Sequence, residues 1–365
     1  MQQIRKNLFI IVLILISLGI VMIYSSSAIY AYERYQDSAF FLKRHLAYLL
    51  AGIFSAFGVM SVDYRKMRGY SRHILFLAAL LLIAVLLVGR EIGGARRWFS
   101  FGVINFQPSE FAKLAFIIYL SDLLARKHAR IGELFYGFVP AGVVTGFMAV
   151  LVLVQPDLGT AVTIMLIALS LFFASGMNIK HLASTALVCL PLLLILIAGA
   201  PYRRRRIMAF LAPWDDPRGV GFQVIQSFLA LGSGGLLGVG LGRSSQKLFY
   251  LPAAHTDFIF SIIGEELGLI GTASVLVLFA LFIWQGMRIS FRSEDLFGKL
   301  ISLGITSMIA IQVIINIGAS TGSMPTKGLP LPFISYGGSS LVFNLIAFGL
   351  LLNVAKNSKE EGMRA

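Results

Sequence analysis

Residues 251–268 read LPAAHTDFIFSIIGEELG. The stretch leaves a polar loop at Asp257 and enters an apolar run that continues to Gln285. A helix of about 20 apolar residues spans a bilayer, and this run is long enough. Glu265 and Glu266 lie inside it. Charge within a hydrocarbon layer is costly and marks pairing or function. Steps of i+4 and i+3 put Asp257, Ser261, Gly264, Glu265 and Gly268 on one side of such a helix, with Glu266 roughly opposite Asp257. A small, polar face of this kind fits a helix lining a wet cleft with Asp257 at its mouth, where a carboxylate can serve as a general base. Thr256 or Asp257 can equally be a helix cap with no chemistry.

The rest of the chain supports a membrane reading. It has 365 residues, 57% hydrophobic and 13% charged, with a mean hydropathy of +0.83. Soluble domains carry about 25% charged residues. Ten spans are expected, at 8–24, 45–62, 73–88, 109–125, 135–154, 158–174, 181–200, 258–285, 296–317 and 338–354. Helices are favoured because lipid forces backbone groups to pair within the segment, and the runs are too long and uniformly apolar for barrel strands. The first run reads as a retained span, since it is long for the apolar region of a signal peptide. The expected fold is an all-α integral membrane protein, one polytopic domain over 1–365 with a long extracytoplasmic loop at 201–256. No solenoid, propeller or inverted repeat is evident. Cys189 is alone, and there is no CxxC or HExxH, so neither a disulfide nor a zinc or haem site is expected.

Ten spans put both termini on one side. Sixteen basic residues fall on that side, Lys359 and Arg364 among them, against seven in the short loops opposite. The excess of Lys and Arg in cytoplasmic loops then places both termini in the cytoplasm. The 201–256 loop, on the outer side, carries seven more basic residues, including the run Arg203, Arg204, Arg205, Arg206. That run suits anchoring to anionic head groups or a site for an anionic, lipid-linked substrate.

Four polar clusters fall on or under the outer face. In GARRWFSFGVINFQPSEFAKLA, Arg96 and Arg97 sit in a short loop, Pro108 suits a helix start, and Glu110 and Lys113 can pair at i, i+3, as a structural lock or a functional pair. In QPDLGTA, Asp157 can cap a helix. In LGSGGLLGVGLGRSSQK, glycines can bring backbone N–H groups to phosphate oxygens, with Arg243 and Lys247 adding charge, or can simply form a flexible loop. It lacks the GK[ST] of a P-loop. The fourth, STGSMPTKGLPLPFISYGGSSL, has one cation, Lys327, in irregular backbone of the sort tolerated beside protein or a wet cavity.

Taken together and in this order, the motifs MIYSSSA, GARRWF, QPSEFAKLA, QPDLGTA, HTDFIFSIIGEELG and LPFISYGGSSL resemble the SEDS (shape, elongation, division and sporulation) family of bacterial cell-wall polymerases over nearly the whole chain. MPTKG and IGEELG look more like the FtsW division type, or its sporulation relative, than the RodA elongation type. The resemblance implies a peptidoglycan glycosyltransferase that polymerises lipid II, a disaccharide-pentapeptide on undecaprenyl diphosphate, during cell division. It places the family's essential aspartate on Asp257, its lysine on Lys327 and its outer-face arginine on Arg97. It implies a class B penicillin-binding protein and other divisome membrane proteins as partners, and no nucleic acid. The substrate-contacting set expected with Asp257 is Arg97, Lys327, Glu110, Lys113, Arg243, Lys247, Glu265 and Ser339. A divalent cation, Mg or Mn, on the substrate diphosphate is compatible with this chemistry, but no ligand set is readable. Two rival classes remain: a lipid II flippase, for which Glu110 and Lys113 would line the path, and a non-catalytic scaffold for the cross-linking partner.

Overall fold

The structure is a computed structural model that describes residues 1–92, 94–102, 104–248 and 251–358. Lys359 and Arg364, counted above, lie outside the described residues. Each of the ten expected spans is a helix: α1 (Gln2–Tyr35), α2 (Phe40–Ser61), α3 (Tyr64–Val88), α4 (Pro108–Arg126), α5 (Val139–Leu153), α6 (Leu158–Ala174) and α7 (Ile179–Ala198), then, after two helices in the long loop, α10 (Ile259–Arg292), α11 (Leu296–Ser320) and α12 (Gly338–Asn357). The protein is a helical membrane protein, and among the described residues eight helices are long and apolar enough to cross a bilayer. Of the other two predicted spans, α6 is short at 17 residues, and α4 carries Glu110, Lys113, Asp122 and Arg126.

Local chemistry sets the helix starts. Pro108 occupies the first turn of α4, where its missing N–H costs nothing. Asp63, Asp157, Asn178 and Asp295 cap α3, α6, α7 and α11 by accepting backbone N–H groups. The centre of the bundle is α4, α11 and α12, buried along most of their length. Around them α2 packs on α12, α3 on α4, α10 on α11 and α1 on α10. Association in lipid depends on close packing and polar pins, because lipid tails are as apolar as the helices. A Cβ at Gly349 would come within 2.8 Å of the Ala56 carbonyl oxygen, so glycine is what lets α12 lie against α2. One turn further along α12, Asn353 donates to the Val59 and Val62 carbonyls and accepts from Tyr64 N–H, pinning the α2–α3 turn. By contrast, α7 has no buried residue and packs against α6 and the helix that follows it, α8 (Pro201–Leu211).

Two regions depart from the sequence reading. The segment before α4 forms a small antiparallel sheet, β1 (Arg90–Ile92), β2 (Ala95–Phe101) and β3 (Ile104–Phe106), in the order β1-β2-β3. The 201–256 segment folds into α8 (Pro201–Leu211), α9 (Phe222–Ser233) and a glycine-rich loop that docks on α10.

That docking explains the two glutamates. Gly268 adopts φ 66°, ψ −162° inside α10, a conformation open to glycine that interrupts the helix. Leu269 N–H and Ile270 N–H donate to the carbonyls of Gly235 and Leu236 instead of to Glu265 and Glu266. The freed carbonyls of Glu265 and Glu266 accept from Val239 N–H and Gly240 N–H at 2.9 and 3.1 Å. The side chains complete the clamp. Glu265 accepts from Ser245 N–H at 2.8 Å and from the Ser244 and Ser245 hydroxyls. Glu266 pairs with Lys247 Nζ at 2.9 Å and accepts from Ser25 on α1 at 2.7 Å. The expectation of an open polar face along this helix is therefore corrected. Ser227 on α9 meets Ser261 at 2.6 Å, and the loop covers Glu265.

Candidate active site

One cavity of about 740 Å³ lies at the end of the bundle where α4, α6, α10 and α12 begin and α7 and α11 end. Asp257, Asp157, Arg97, Glu110, Lys327 and Arg206 all line it. These residues come from six segments spread over more than 200 positions, so only the packing of the bundle assembles the site.

Asp257 stands one residue before the N-cap of α10, and that helix has no side-chain cap. The capping reading is corrected: Thr256 donates its hydroxyl to the Ala253 carbonyl instead. The backbone of Asp257 is fixed from α11. Asn316 donates its amide to the carbonyls of Asp257 and Leu329 at 2.9 and 2.7 Å. The Ser335 hydroxyl donates to the Thr256 carbonyl, and Tyr336 N–H donates to the His255 carbonyl. Gly328 leaves room for the carboxylate, because a Cβ there would sit 2.7 Å from Asp257 Oδ2. Burial raises the Asp257 carboxyl to about 6, against the pull of Arg206 and then Lys327. A base that titrates near neutrality is matched to taking a proton from a hydroxyl.

Asp157 has a different environment. It caps α6 through Thr160 N–H and the Thr160 hydroxyl, and its Oδ1 lies 3.2 Å from Lys327 Nζ. Burial opposes ionisation, but Lys327, then Arg97 and the Thr160 bonds outweigh it and hold the carboxyl at about 2. Burial lowers Lys327 from the usual lysine value, while Asp157 supports its charge. Arg97, on β2, donates to the carbonyls of Gln155 and Pro156 at 2.7 and 2.5 Å, bracing the turn before Asp157. The two aspartates are thus pushed apart, one toward proton exchange and one toward permanent charge.

The other expected residues fall in three places. Glu110 reaches the cavity wall, and Lys113 lies behind it in a buried pair at 2.9 Å. Ser339 is close by but faces the β3–α4 junction, accepting from Gln107 N–H and donating to the Asn105 carbonyl. Glu265, Lys247 and Arg243 are not brought to the cavity, since the first two are spent in the clamp and Arg243 is exposed on the loop. Sequence reasoning missed Asn316 and Tyr202 of the site. Asn316 carried a usable signal, an amide deep in an apolar run. Tyr202, whose hydroxyl donates to the Pro156 carbonyl, carried none.

Among the described residues no group of three His, Cys, Asp or Glu side chains could hold a metal ion.

A helical membrane bundle with a charged cavity at one end, holding a raised carboxyl among cations, is the class that fold and site define. Comparison gives the family. A model described as cell cycle protein, covering FtsW, RodA and SpoVE, matches residues 5–360, and the chain belongs to that family. Stage V sporulation protein E of Bacillus subtilis is 45% identical over 354 residues, 96% of this chain and 97% of that protein. The probable peptidoglycan glycosyltransferase FtsW of Geobacter metallireducens is 42% identical over 364 residues, 98% and 97% of the two chains. The crystal structure of rod shape determining protein RodA from Thermus thermophilus superposes with a TM-score of 0.73 at 30% identity, covering 97% of each chain. A chain from a peptidoglycan synthase complex that coordinates polymerization and crosslinking reaches a TM-score of 0.80 at 32% identity, covering 97% of this chain and 98% of that one.

Proposed function

We propose that the chain is a peptidoglycan glycosyltransferase that polymerises lipid II. The observation that carries this reading is one cavity holding a carboxyl tuned to about 6, Asp257, among Arg97, Lys327 and Arg206. In the reaction the Asp257 carboxylate takes the proton of the acceptor sugar hydroxyl. The acceptor oxygen bonds to the donor anomeric carbon. The bond from that carbon to the phosphate oxygen breaks, and its electron pair leaves with undecaprenyl diphosphate. Cations stabilise the charge that develops on the diphosphate. A divalent cation would travel on the substrate diphosphate.

The transporter reading is less well supported. Glu110 and Lys113, its proposed path, neutralise one another at 4% and 1% exposure inside the packed centre. Purified protein supplied with labelled lipid II tests the assignment. Glycan ladders from wild type and none from Asp257→Asn support it. Lipid II that crosses a vesicle membrane without ever being polymerised would replace it.

Three finer statements belong to the same proposal. Both termini are cytoplasmic, so the cavity faces outward; the bias in basic residues supports this. The partner is a class B penicillin-binding protein, supported by the similarity to a chain of a complex that couples polymerization to crosslinking. The site of action is the division septum, supported by the likeness to FtsW proteins.

A further inference from the structure

The four-arginine run is split by the geometry of α8. Tyr202, Arg203, Arg206 and Ile207 share a face by i+4 steps and line the cavity, whereas Arg204 and Arg205 do not. Arg206 is positioned from two sides. It donates Nη1 to the Thr326 carbonyl at 3.3 Å, one residue before Lys327. Its guanidinium lies 5.6 Å from the centre of the Tyr202 ring, and the Tyr202 hydroxyl is bound to Pro156 beside Asp157.

Two other cavity cations are drawn toward the protein, although Lys327 Nζ, like Arg203 Nε, has no hydrogen-bond partner among the described residues. Arg97 spends Nε and Nη2 on two carbonyls, and the Lys327 charge is matched by Asp157. A guanidinium has five N–H donors in a planar fork suited to phosphate oxygens. Arg206 commits one of them to the Thr326 carbonyl. Arg203 commits Nη1 to the Leu196 carbonyl and keeps a buried Nε without a partner.

We propose that Arg206, with Arg203 beside it on the same face of α8, grips the diphosphate that leaves the lipid-linked donor, while Arg204 and Arg205 face away from the reaction. The inference rests on the glycosyl-transfer reading. The donor anomeric carbon must lie next to the hydroxyl that Asp257 deprotonates, so the leaving diphosphate departs within the reach of Asp257's neighbours. Arg206 is one of these, and it acts on Asp257 more strongly than Lys327 does. As the bond breaks, negative charge grows on the bridging oxygen, and a guanidinium placed there stabilises the transition state more than the bound donor.

Burial raises the Asp257 carboxyl, and the charges that oppose it are Arg206 from α8 and Lys327 from the α11–α12 loop, while Asp157 and Arg97 act on Lys327 and burial lowers the nearby His255 to about 4. Removing Arg206 takes away an attraction that favours the ionised carboxylate. The acid limb of the rate profile then moves to higher pH.

Full-length wild type, Arg206→Ala, Arg206→Lys and Arg205→Ala are purified and assayed on labelled lipid II across concentration and pH, with undecaprenyl diphosphate added as a competing product. Arg206→Ala should lose about 10- to 100-fold in kcat, the range for a charged hydrogen bond. It should also shift the acid limb upward and resist inhibition by undecaprenyl diphosphate. Arg206→Lys should recover part of each, and Arg205→Ala should match wild type. A melting temperature near wild type separates these effects from misfolding; if the Ala variant unfolds, the Lys variant and product inhibition decide. If wild type polymerises and Arg206→Ala keeps its kcat, pH profile and product inhibition, the inference is overturned and the function stands. An inert wild type overturns both.

Discussion

Lys327 Nζ lies 3.2 Å from Asp157 Oδ1, at the point where Asp157 also caps α6. One carboxylate therefore starts a helix and neutralises a cavity cation carried by a loop more than 160 positions away in the chain. Gly159 makes the contact possible, because a Cβ there would occupy the space taken by the end of the Lys327 side chain. Asp157→Asn keeps a capping group but leaves Lys327 beside Arg97 with no counter-charge. Breaking a buried pair from one side costs about 3–5 kcal/mol. Lys327 keeps 19% side-chain exposure, so the expected loss is at the low end, about 3 kcal/mol. The folded-state value of Asp157 is depressed. Its contribution is thus present above the ordinary value of 3.8 and is lost as pH falls toward 2. Thermal unfolding in detergent should show this acid loss in wild type and its absence in Asp157→Asn.

Asp257→Asn is expected to fold normally and make almost no glycan. The side chain caps nothing, so the substitution costs no helix start. It removes the proton acceptor, worth about 10²–10⁴-fold in rate. Because burial raises the Asp257 carboxyl, wild-type activity should rise with pH through about 6 as the carboxylate forms. An Asn variant that polymerises at the wild-type rate would remove Asp257 from the mechanism.

Lys247→Met should loosen the glycine-rich loop and leave the cavity residues in place. It strands Glu266, whose side chain is fully buried, with only Ser25 to satisfy it. The expected cost is about 3–5 kcal/mol. Hydrogen exchange should rise at Val239 and Gly240, whose N–H groups are held by the carbonyls of Glu265 and Glu266. Unchanged exchange there would show that the backbone bonds hold the loop without the ion pair.

The orientation has a direct test. A reporter active only outside the cytoplasm, inserted at Ser244, should be active, and a cytoplasm-only reporter fused to the carboxy-terminus should be active too. The reverse pattern would turn the cavity inward and separate it from the outer-leaflet substrate.

Much of the fold was legible because each span is a local property. The 296–317 run reads as a helix on hydropathy alone, and α11 covers Leu296–Ser320. Asp157 before an apolar run signals a cap, and it caps α6. The long loop was opaque for a physical reason. α8 and α9 are short segments whose faces take meaning only from what they pack against. Arg206 and Arg205 have the same local sequence character, yet one lines the cavity and the other does not. Sequence periodicity puts Glu265 on a wet face because it shows which residues share a side and not what covers that side.

The order of apolar runs by itself determined a helical membrane protein. That much is local, because lipid allows few backbone solutions, whereas the family entered by the resemblance of its polar motifs, taken in their order. Tertiary structure alone decided which charges reach the cavity and which hold the chain together. Glu265, Glu266 and Lys247 close a break in α10, whereas Asp257, eight residues before Glu265, faces a cavity. Carboxylates of like chemistry take opposite roles because burial, counter-ions and hydrogen-bond donors come from segments distant in the chain, and their arrangement exists only once the helices have packed.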